Sequence, residues 1–372
     1  MSTVPISPAD RPSRRQESPL RIGMIAPPWF AIPPEGYGGT EAVVASLVDQ
    51  LVDRGHEVTL VAAGAPGTRA TRHITTYPDP PSELLGASPM PEVIHAAQAA
   101  QAIDDLDLDL VHDHSLAGPL LARGRDIPTL ATMHGPAAGD NGDYFARLER
   151  TVDLVSISHA QRTDAPQLNW VGTVHNAVDL DSFPFQADKE RHVLWMGRFC
   201  ADKGAHIAIE AARRAGRRII LAGKLNEQAE RDYFDDAVRP LLGPDAEYVG
   251  EADAALKREL YAAASCLVFP ISWDEPFGMV MVEAMACGTP VVATRRGSVP
   301  EVIEHGRTGI IVDAFEDLPA AIAGADELDP HACRERVAQH FDLPVMGAGY
   351  ERVYRQVLER RRRRPDAEQA VA

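Results

Sequence analysis

Short apolar runs alternate with amphipathic stretches along most of the chain from Arg21 onward. Residues 21–26 and 57–62 have the length and composition of buried strands. Between them, residues 40–54 show helical spacing and end at Gly55, and glycine commonly terminates helices. This alternation is typical of strand–helix units that build a parallel sheet. Further strands of the first series are predicted at 110–112, 129–133, 154–157 and 173–175.

The alternation stops at residues 176–184, where turn-forming residues accumulate, and a second series begins at 192–196. Its other strands are predicted at 218–222, 247–249, 266–269, 291–293 and 309–312. Two series of similar size predict an α/β protein with two Rossmann-like domains that face each other across a cleft. In open α/β sheets, ligands bind beyond the carboxyl ends of the strands, so the residues that follow each strand are the candidates for function.

The domain boundaries follow from these two series. We place an N-terminal domain at 19–183 and a C-terminal domain at 184–343. A final helix is predicted at 344–360. Residues 1–18, which are rich in Pro, Ser and Arg, and residues 361–372 are predicted to be disordered tails.

The formal net charge of −17 argues against a nucleic-acid partner, because phosphate binding needs clustered Lys and Arg. The five consecutive arginines at 360–364 could contact an anionic surface, although a solvated chain end is the favoured interpretation. No apolar run reaches the roughly 20 residues of a membrane span, and the first 18 residues lack the apolar core of a signal peptide. The four cysteines have no metal-like spacing. A cytoplasmic location is therefore expected.

A glycine-rich motif, Gly36-Tyr37-Gly38-Gly39-Thr40-Glu41, lies between the first strand and the first helix. Glycine allows a ligand to approach the backbone, and a helix N-terminus offers free N–H groups to an anion. Thr40 is expected to cap the helix. The spacing does not match the dinucleotide fingerprint, and a flexible turn before a capped helix remains the alternative interpretation.

Histidines end two strands of the first series: His112 and His114 end one, and His134 ends the next. At a cleft rim a histidine can bind a sugar hydroxyl or transfer a proton. We favour a functional role for His114 and His134, whereas His112 suits a structural role. A zinc site at 112–114 is excluded, because alternate strand residues point to opposite faces and only two of the three side chains can converge.

A cationic pair, Arg198 and Lys203, follows the first strand of the second series. A guanidinium and an ammonium beside a helix N-terminus suit a pyrophosphate, and they remove the need for a divalent metal to hold it. Surface charges solvated on a loop are the alternative interpretation.

The most specific motif is the segment 274–292, which contains Glu275, Phe277-Gly278 and Glu283. Glu283 falls about one and a half turns into an otherwise apolar helix, so its carboxylate must have a definite partner. Ribose hydroxyls are a natural partner. Glu275 can bind hexose hydroxyls in the same way, and the N–H groups at Phe277 and Gly278 can meet sugar or phosphate oxygens.

Together these motifs, with Asn176-Ala177-Val178-Asp179, resemble the retaining GT-B glycosyltransferases of family 4 over about residues 20–340. The resemblance implies that the final helix crosses back to the N-terminal domain. It also implies roles for individual residues: the donor diphosphate binds Arg198, Lys203 and Gly39; the ribose binds Glu283; the donor sugar binds Glu275, Phe277, Gly278 and His114; and the acceptor side contains His134 and Thr40. His114 and Glu275 are the expected catalytic residues.

The expected reaction is transfer of a hexose, with retention, from a nucleoside diphosphate sugar of the UDP-glucose or GDP-mannose type to an acceptor hydroxyl. No cofactor or metal is expected. A soluble acceptor and no membrane association are expected, because residues 78–105 contain no Lys or Arg to attract anionic lipid. The alternatives are a hydrolysing nucleotide-sugar 2-epimerase of the same fold and a non-catalytic sugar-nucleotide-binding protein.

Overall fold

The computed structural model describes residues 18–34 and 38–363. Gly36 and Tyr37 of the glycine-rich motif lie outside the described residues. Most of the two predicted tails, 1–18 and 361–372, also lies outside the described residues. Only Ser18 of the first tail and residues 361–363 of the second are described.

The first domain contains a parallel sheet of seven strands in the order β3-β2-β1-β4-β5-β6-β7. The strands are β1 Arg21–Ile25, β2 Glu57–Ala62, β3 Arg72–Thr75, β4 Leu110–Asp113, β5 Thr129–Met133, β6 Asp153–Ser156 and β7 Trp170–Thr173. The helices are α1 Gly39–Asp53, α2 Met90–Asp104, α3 Asp140–Ala146 and α4 His159–Asp164. β1, β4 and β5 are almost entirely buried, because helices cover both faces of the sheet.

The second domain contains a parallel sheet of six strands in the order β10-β9-β8-β11-β12-β13. The strands are β8 Val193–Met196, β9 Ile219–Ala222, β10 Ala246–Tyr248, β11 Cys266–Phe269, β12 Val291–Thr294 and β13 Gly309–Val312. The helices are α5 Ala205–Arg214, α6 Gln228–Tyr233, α7 Ala254–Ala263, α8 Met279–Ala286, α9 Val299–Val302, α10 Leu318–Gly324, α11 Pro330–His340 and α12 Leu343–Arg363. The predicted fold class of two parallel-sheet α/β domains is confirmed.

Two strands of the first sheet differ from the prediction. β3 was not predicted, because Arg72–Thr75 is an edge strand with one Ile among polar residues and has no apolar run. β7 lies at Trp170–Thr173 instead of 173–175, and Val353 of α12 packs against it at Gly172. A Cβ at Gly172 would lie 2.7 Å from the Val353 Cγ2.

Contacts between the two halves of the chain hold the domains together. Tyr350 and Tyr354 of α12 are fully buried in the apolar core of the first domain, so the final helix crosses back to it. At the start of α4, the backbone N–H groups of His159 and Ala160 donate to the carboxylate of Glu301 at 2.8 and 2.6 Å. None of the helices in the described chain combines the length and apolar character that a membrane span requires.

Candidate active site

An interdomain cleft of about 410 Å³ lies beyond the carboxyl ends of the strands. Gly39, Thr40 and His134 line it from the first domain. Residues 275–279 line it from the second domain, so Glu275, Phe277 and Gly278 face the first-domain candidates. Both sheets reverse their strand order beside this opening, at β1–β4 and at β8–β11, where α/β folds commonly bind ligands.

Lys203 and Glu275 meet at the second-domain wall. The Lys203 ammonium donates to the Glu275 carboxylate, and both side chains are largely buried. The Lys203 Nζ also lies 4.7 Å from the centre of the Trp273 ring. A charge withdrawn from water needs a partner of opposite sign, and in this pair each side chain is that partner for the other. Glu275 lines the cleft, and Lys203 lies directly behind it in contact with its carboxylate. Arg198 follows the same strand as Lys203, is exposed, and does not line the cleft.

The loop that contains Glu275 is held by a residue that the sequence analysis did not single out. Gly297 has a φ of +47°, and a Cβ there would lie 2.3 Å from the carbonyl oxygen of Glu275. The adjacent Ser298 donates its backbone N–H to the same oxygen at 2.9 Å. Its hydroxyl donates to the Phe277 carbonyl at 2.8 Å. Glycine is therefore required at 297 for the two loops to approach.

Glu283 lies in α8 and is only 8% exposed. Its carboxylate accepts hydrogen bonds from the Lys257 ammonium at 2.6 Å and from the Tyr261 hydroxyl at 2.9 Å. The sequence analysis required a definite partner for this carboxylate but missed both residues of α7. Lys257 and Tyr261 are four positions apart and therefore share one helix face, which is the signal that could have identified them.

The three histidines form one cluster behind the first-domain wall. His114 Nδ1 lies 2.8 Å from His134 Nε2, and the rings of His112 and His114 are 4.1 Å apart. His112 is completely buried between the Tyr354 hydroxyl at 2.7 Å and the Thr132 hydroxyl at 2.8 Å. These contacts make His112 a structural link to α12, as predicted, and they orient the ring beneath His114.

Burial keeps these imidazoles neutral. It lowers the pKa of His112 to about 3 and that of His134 to about 4, and it lowers the pKa of His114 well below the usual value. Neighbouring histidines add to the shift of His112 and His114. The Nε2 atom of His114 is buried and has no hydrogen-bond partner among the described residues. A neutral imidazole with one free nitrogen can bind a hydroxyl group.

Comparison with known proteins identifies the family. Residues 37–182 match the family described as Glycosyltransferase Family 4, and residues 179–335 match Glycosyl transferases group 1. This chain is a GT-B glycosyltransferase of family 4. The predicted family is confirmed, and the chain is an enzyme of the glycosyltransferase class.

Several known proteins are similar to this glycosyltransferase over nearly its whole length. Glycogen synthase of Mycobacterium tuberculosis is 26% identical, and the match covers 90% of this chain and 94% of the relative. Phosphatidyl-myo-inositol mannosyltransferase of Mycolicibacterium smegmatis is also 26% identical, over 91% and 94% of the two chains. Anabaena Alr3699/HepE, solved as a crystal structure in complex with UDP and glucose, is 18% identical in sequence. Its structure superposes with a TM-score of 0.69, and the match covers 91% of this chain and 100% of the other.

The first helix of the glycosyltransferase begins differently from the prediction. α1 starts at Gly39, and the residue before it, Gly38, has a φ of 147° and occupies the capping position. Thr40 is the second residue of the helix, so its side chain does not cap it. The prediction of a Thr40 cap is wrong, because the glycine conformation turns the chain into the helix one residue earlier. The Gly39 and Thr40 backbone remains at the cleft, at the N-terminal end of a 15-residue helix.

Glu41 is a further cleft residue that the sequence analysis did not assign. Its side chain is 4% exposed, and burial raises its pKa to about 7, with a smaller contribution from the nearby carboxylate of Glu92. The sequence signal for Glu41 is an acidic residue in the first turn of the helix that follows the glycine-rich motif. In the part of the glycosyltransferase that the structure describes, no group of three His, Cys, Asp or Glu side chains is arranged to hold a metal ion.

Proposed function

We propose that this enzyme transfers a hexose from a nucleoside diphosphate sugar to a hydroxyl group of a soluble acceptor, with retained anomeric configuration. The observation that carries the proposal is the meeting of Lys203 and Glu275 at the wall of the interdomain cleft. One residue supplies a cation for phosphate and the other an acceptor for sugar hydroxyls. If both roles hold, their contact would bring the diphosphate and the sugar of one donor next to each other.

The donor diphosphate would be bound by Lys203 and Arg198. Lys203 would exchange its carboxylate partner for a phosphate oxygen, and the exposed Arg198 would turn toward the second phosphate. The backbone N–H of Gly39 would reach the phosphates from the opposite wall. These groups stabilise negative charge as it grows on the leaving diphosphate, so the proposal requires no metal.

The nucleoside and the sugar would occupy the region around α8. Glu283 would bind the ribose hydroxyls: a carboxylate accepts about four hydrogen bonds, and Lys257 and Tyr261 use two of them. The ion pair with Lys257 fixes the carboxylate in one orientation before the ribose arrives. Glu275 and the backbone N–H groups of Phe277 and Gly278 would hold the hexose.

In the transfer step, the bond between the anomeric carbon and the phosphate oxygen breaks, and a bond to the acceptor oxygen forms on the same face. The acceptor proton passes to the departing phosphate oxygen, so no protein nucleophile is needed. His134 lines the cleft on the acceptor side and contacts the His114 ring. His114 lies behind it with a buried Nε2 atom, so it would bind the donor sugar only after a movement of the first-domain wall exposes that atom. Thr40 would contribute to the acceptor side of the same cleft.

A UDP sugar is the preferred donor and a GDP sugar the second choice. The structurally similar Anabaena protein binds UDP and glucose, whereas the relative from Mycolicibacterium smegmatis is a mannosyltransferase. Both glucose- and mannose-type donors therefore belong in the test. The soluble acceptor rests on residues 73–122, which contain no Lys or Arg to attract anionic lipid. A cytoplasmic location and independence from cofactors are parts of the same proposal.

The decisive experiment measures the melting temperature of the protein with UDP, GDP and ADP and their sugars. A ligand at 100 times its dissociation constant stabilises the fold by about 2.7 kcal/mol, which raises the melting temperature by several degrees. The stabilising donor is then incubated with and without a panel of hydroxyl acceptors. Glycoside formation supports the proposal. Failure of every nucleotide to stabilise the protein contradicts it, and acceptor-independent release of UDP with a 2-epimeric sugar indicates the epimerase instead.

A further inference from the structure

Three large apolar side chains in the first half of helix α2 face solvent. Met90, Val93 and Ile94 are exposed, and their spacing of three and four residues places them on one helix face. On the opposite face, Glu92 and His95 are buried, together with apolar residues of the second half of the helix. Large apolar side chains of a surface helix normally face the core, so their exposure opposite a buried carboxylate and a buried imidazole is unusual.

Specific hydrogen bonds hold α2 in this orientation. The Glu92 carboxylate accepts the backbone N–H groups of Leu116 at 2.7 Å and Ala117 at 3.3 Å. On the same buried face, His95 Nδ1 lies 2.8 Å from the Thr76 hydroxyl. Rotating the helix to bury Met90, Val93 and Ile94 would break these bonds and leave buried polar groups without partners, which is costly. The outward apolar face is therefore a fixed feature of the fold.

Three more exposed leucines lie in the segment after β4, which packs beside α2. Leu116, Leu120 and Leu121 are 55%, 54% and 44% exposed, and the turn Gly118–Ala122 packs beside α2. We call Met90, Val93, Ile94, Leu116, Leu120 and Leu121 the α2 patch. In the part of the chain that the structure describes, these six account for most of the exposed large apolar side chains.

The α2 patch borders the candidate active site at two points. Leu85, which is also exposed and lies five residues before Met90, lines the interdomain cleft. Leu116 is the second residue after His114, whose partner His134 lines the same cleft. A molecule with a hydroxyl group in the cleft could therefore extend directly onto the patch.

The charges around the α2 patch restrict what can bind it. Residues 73–122 contain no Lys or Arg, and the carboxylates of Glu83, Asp104 and Asp105 are exposed. These carboxylates would repel an anionic membrane or an acidic partner. They would also repel one another if two copies of the chain faced each other here. A neutral apolar group meets neither obstacle.

We propose that the α2 patch binds a neutral apolar portion of the acceptor, so that the acceptor is an amphiphilic molecule with a sugar or other hydroxyl-bearing head and an uncharged apolar tail. This inference rests on the proposed transferase function and adds the chemical class of the acceptor. Each methylene group that leaves water favours binding by about 0.8 kcal/mol, or about fourfold. A one-sided surface covers a tail only partly, so the gain per methylene is smaller.

The first test compares octyl and methyl glycosides of glucose and mannose as acceptors, below the micelle concentration. These pairs share a head and differ in the tail. We expect the KM for the octyl acceptor to be at least about tenfold lower, and we expect the difference to shrink in Val93→Gln and Ile94→Gln. Val345→Gln is the matched control, because Val345 is another exposed valine, located on α12 outside the patch. Equal KM values for octyl and methyl acceptors overturn the proposal.

A second measurement needs no turnover. The uncharged fluorophore N-phenyl-1-naphthylamine should bind the wild-type protein and Val345→Gln, and it should bind Val93→Gln and Ile94→Gln several-fold more weakly. Equal fluorophore binding by the wild type and the two patch variants overturns the proposal that the α2 patch binds apolar groups, even if transfer to other acceptors is observed. Absence of stabilisation by any nucleotide overturns the transferase proposal while the fluorophore result still reports on the patch.

Two outcomes would assign the patch to a different occupant. Flotation of the wild-type protein with neutral phosphatidylcholine vesicles, abolished by Ile94→Gln, would overturn the proposal in favour of a membrane surface. A dimer seen by light scattering and converted to a monomer by Ile94→Gln would overturn it in favour of a second copy of the chain. A monomer that does not float supports the acceptor assignment.

Discussion

Lys203 and Glu275, which are 72 residues apart in the sequence, form a largely buried ion pair at the wall of the interdomain cleft. Each side chain is the charge partner of the other. Under the proposed function, a diphosphate that binds the Lys203 ammonium would release the Glu275 carboxylate for the donor sugar. The two parts of donor recognition would then be coupled through this single contact.

Replacing Lys203 by Met should weaken UDP-sugar binding by about ten- to a hundredfold, because a charge-assisted hydrogen bond contributes about 1.5–3 kcal/mol. Glu275→Gln should leave the affinity for UDP itself nearly unchanged and raise the KM for the UDP sugar. Isothermal titration with UDP and with the sugar nucleotide separates the two effects. Arg213→Met is the control, since it breaks an exposed ion pair with Asp245 away from the cleft. Equal affinity of Lys203→Met and wild type for the donor would exclude the proposed phosphate role.

Glu283→Gln should reduce the affinity for UDP by about tenfold or more, since the neutral amide is a weaker acceptor for ribose hydroxyls and loses its ion pair with Lys257. The affinity for inorganic pyrophosphate should stay unchanged. Glu304→Gln, which alters an exposed carboxylate paired with Arg307, is the matched control. The Glu283 role would be wrong if UDP and pyrophosphate lost affinity equally.

His114→Ala should retain nucleotide binding, and its kcat should fall by about a hundredfold or more. This is the usual scale of the loss when a group that acts on the reacting centre is removed. The readouts are the UDP-induced shift in melting temperature and kcat. His331→Ala changes an exposed histidine and serves as the control. Full activity in His114→Ala would remove this residue from the catalytic site.

Gly297→Ala should disturb the Glu275 loop, because the new Cβ would lie 2.3 Å from the Glu275 carbonyl oxygen. We expect a higher KM for the sugar donor together with a lower free energy of unfolding. Gly306→Ala is the matched control: Gly306 also has a positive φ, of +79°, but a Cβ added there would meet no atom within 4 Å. The control carries only the conformational cost of about 1–2 kcal/mol. Identical kinetics in the two variants would contradict the support role of Gly297.

Glu41→Gln should change the pH dependence of stability. Glu41 has a pKa of about 7 in the folded protein against an ordinary value of 4.5, so the folded state binds more protons between these values. The wild type therefore loses stability as the pH rises from about 4.5 to 7, and the glutamine variant lacks this loss. Relative to wild type, the variant should gain up to about 3 kcal/mol over this range. Urea unfolding at pH 5 and pH 8 measures the difference, and a constant difference would contradict the assigned burial effect.

Local chemistry made several residues of the site predictable. Glu283 interrupts an apolar helix, and Lys203 and Glu275 follow strands, where α/β domains place ligands. The partners of Glu283 were missed because they belong to α7, and its packing against α8 is a tertiary contact. The Thr40 cap was mispredicted because the φ of Gly38, the residue that precedes α1, cannot be read from the helix propensities of single residues.

The order of apolar and polar residues by itself determined the two strand–helix series, the residues at their strand ends and the family, because these depend on short-range periodicity and on motifs within one segment. Only the tertiary structure decided that Lys203 contacts Glu275, that Gly297 supports the Glu275 loop, and that Met90, Val93 and Ile94 of α2 face solvent. These relationships join segments far apart in the chain. Their energies come from burial and hydrogen bonds that exist only after the segments have packed together.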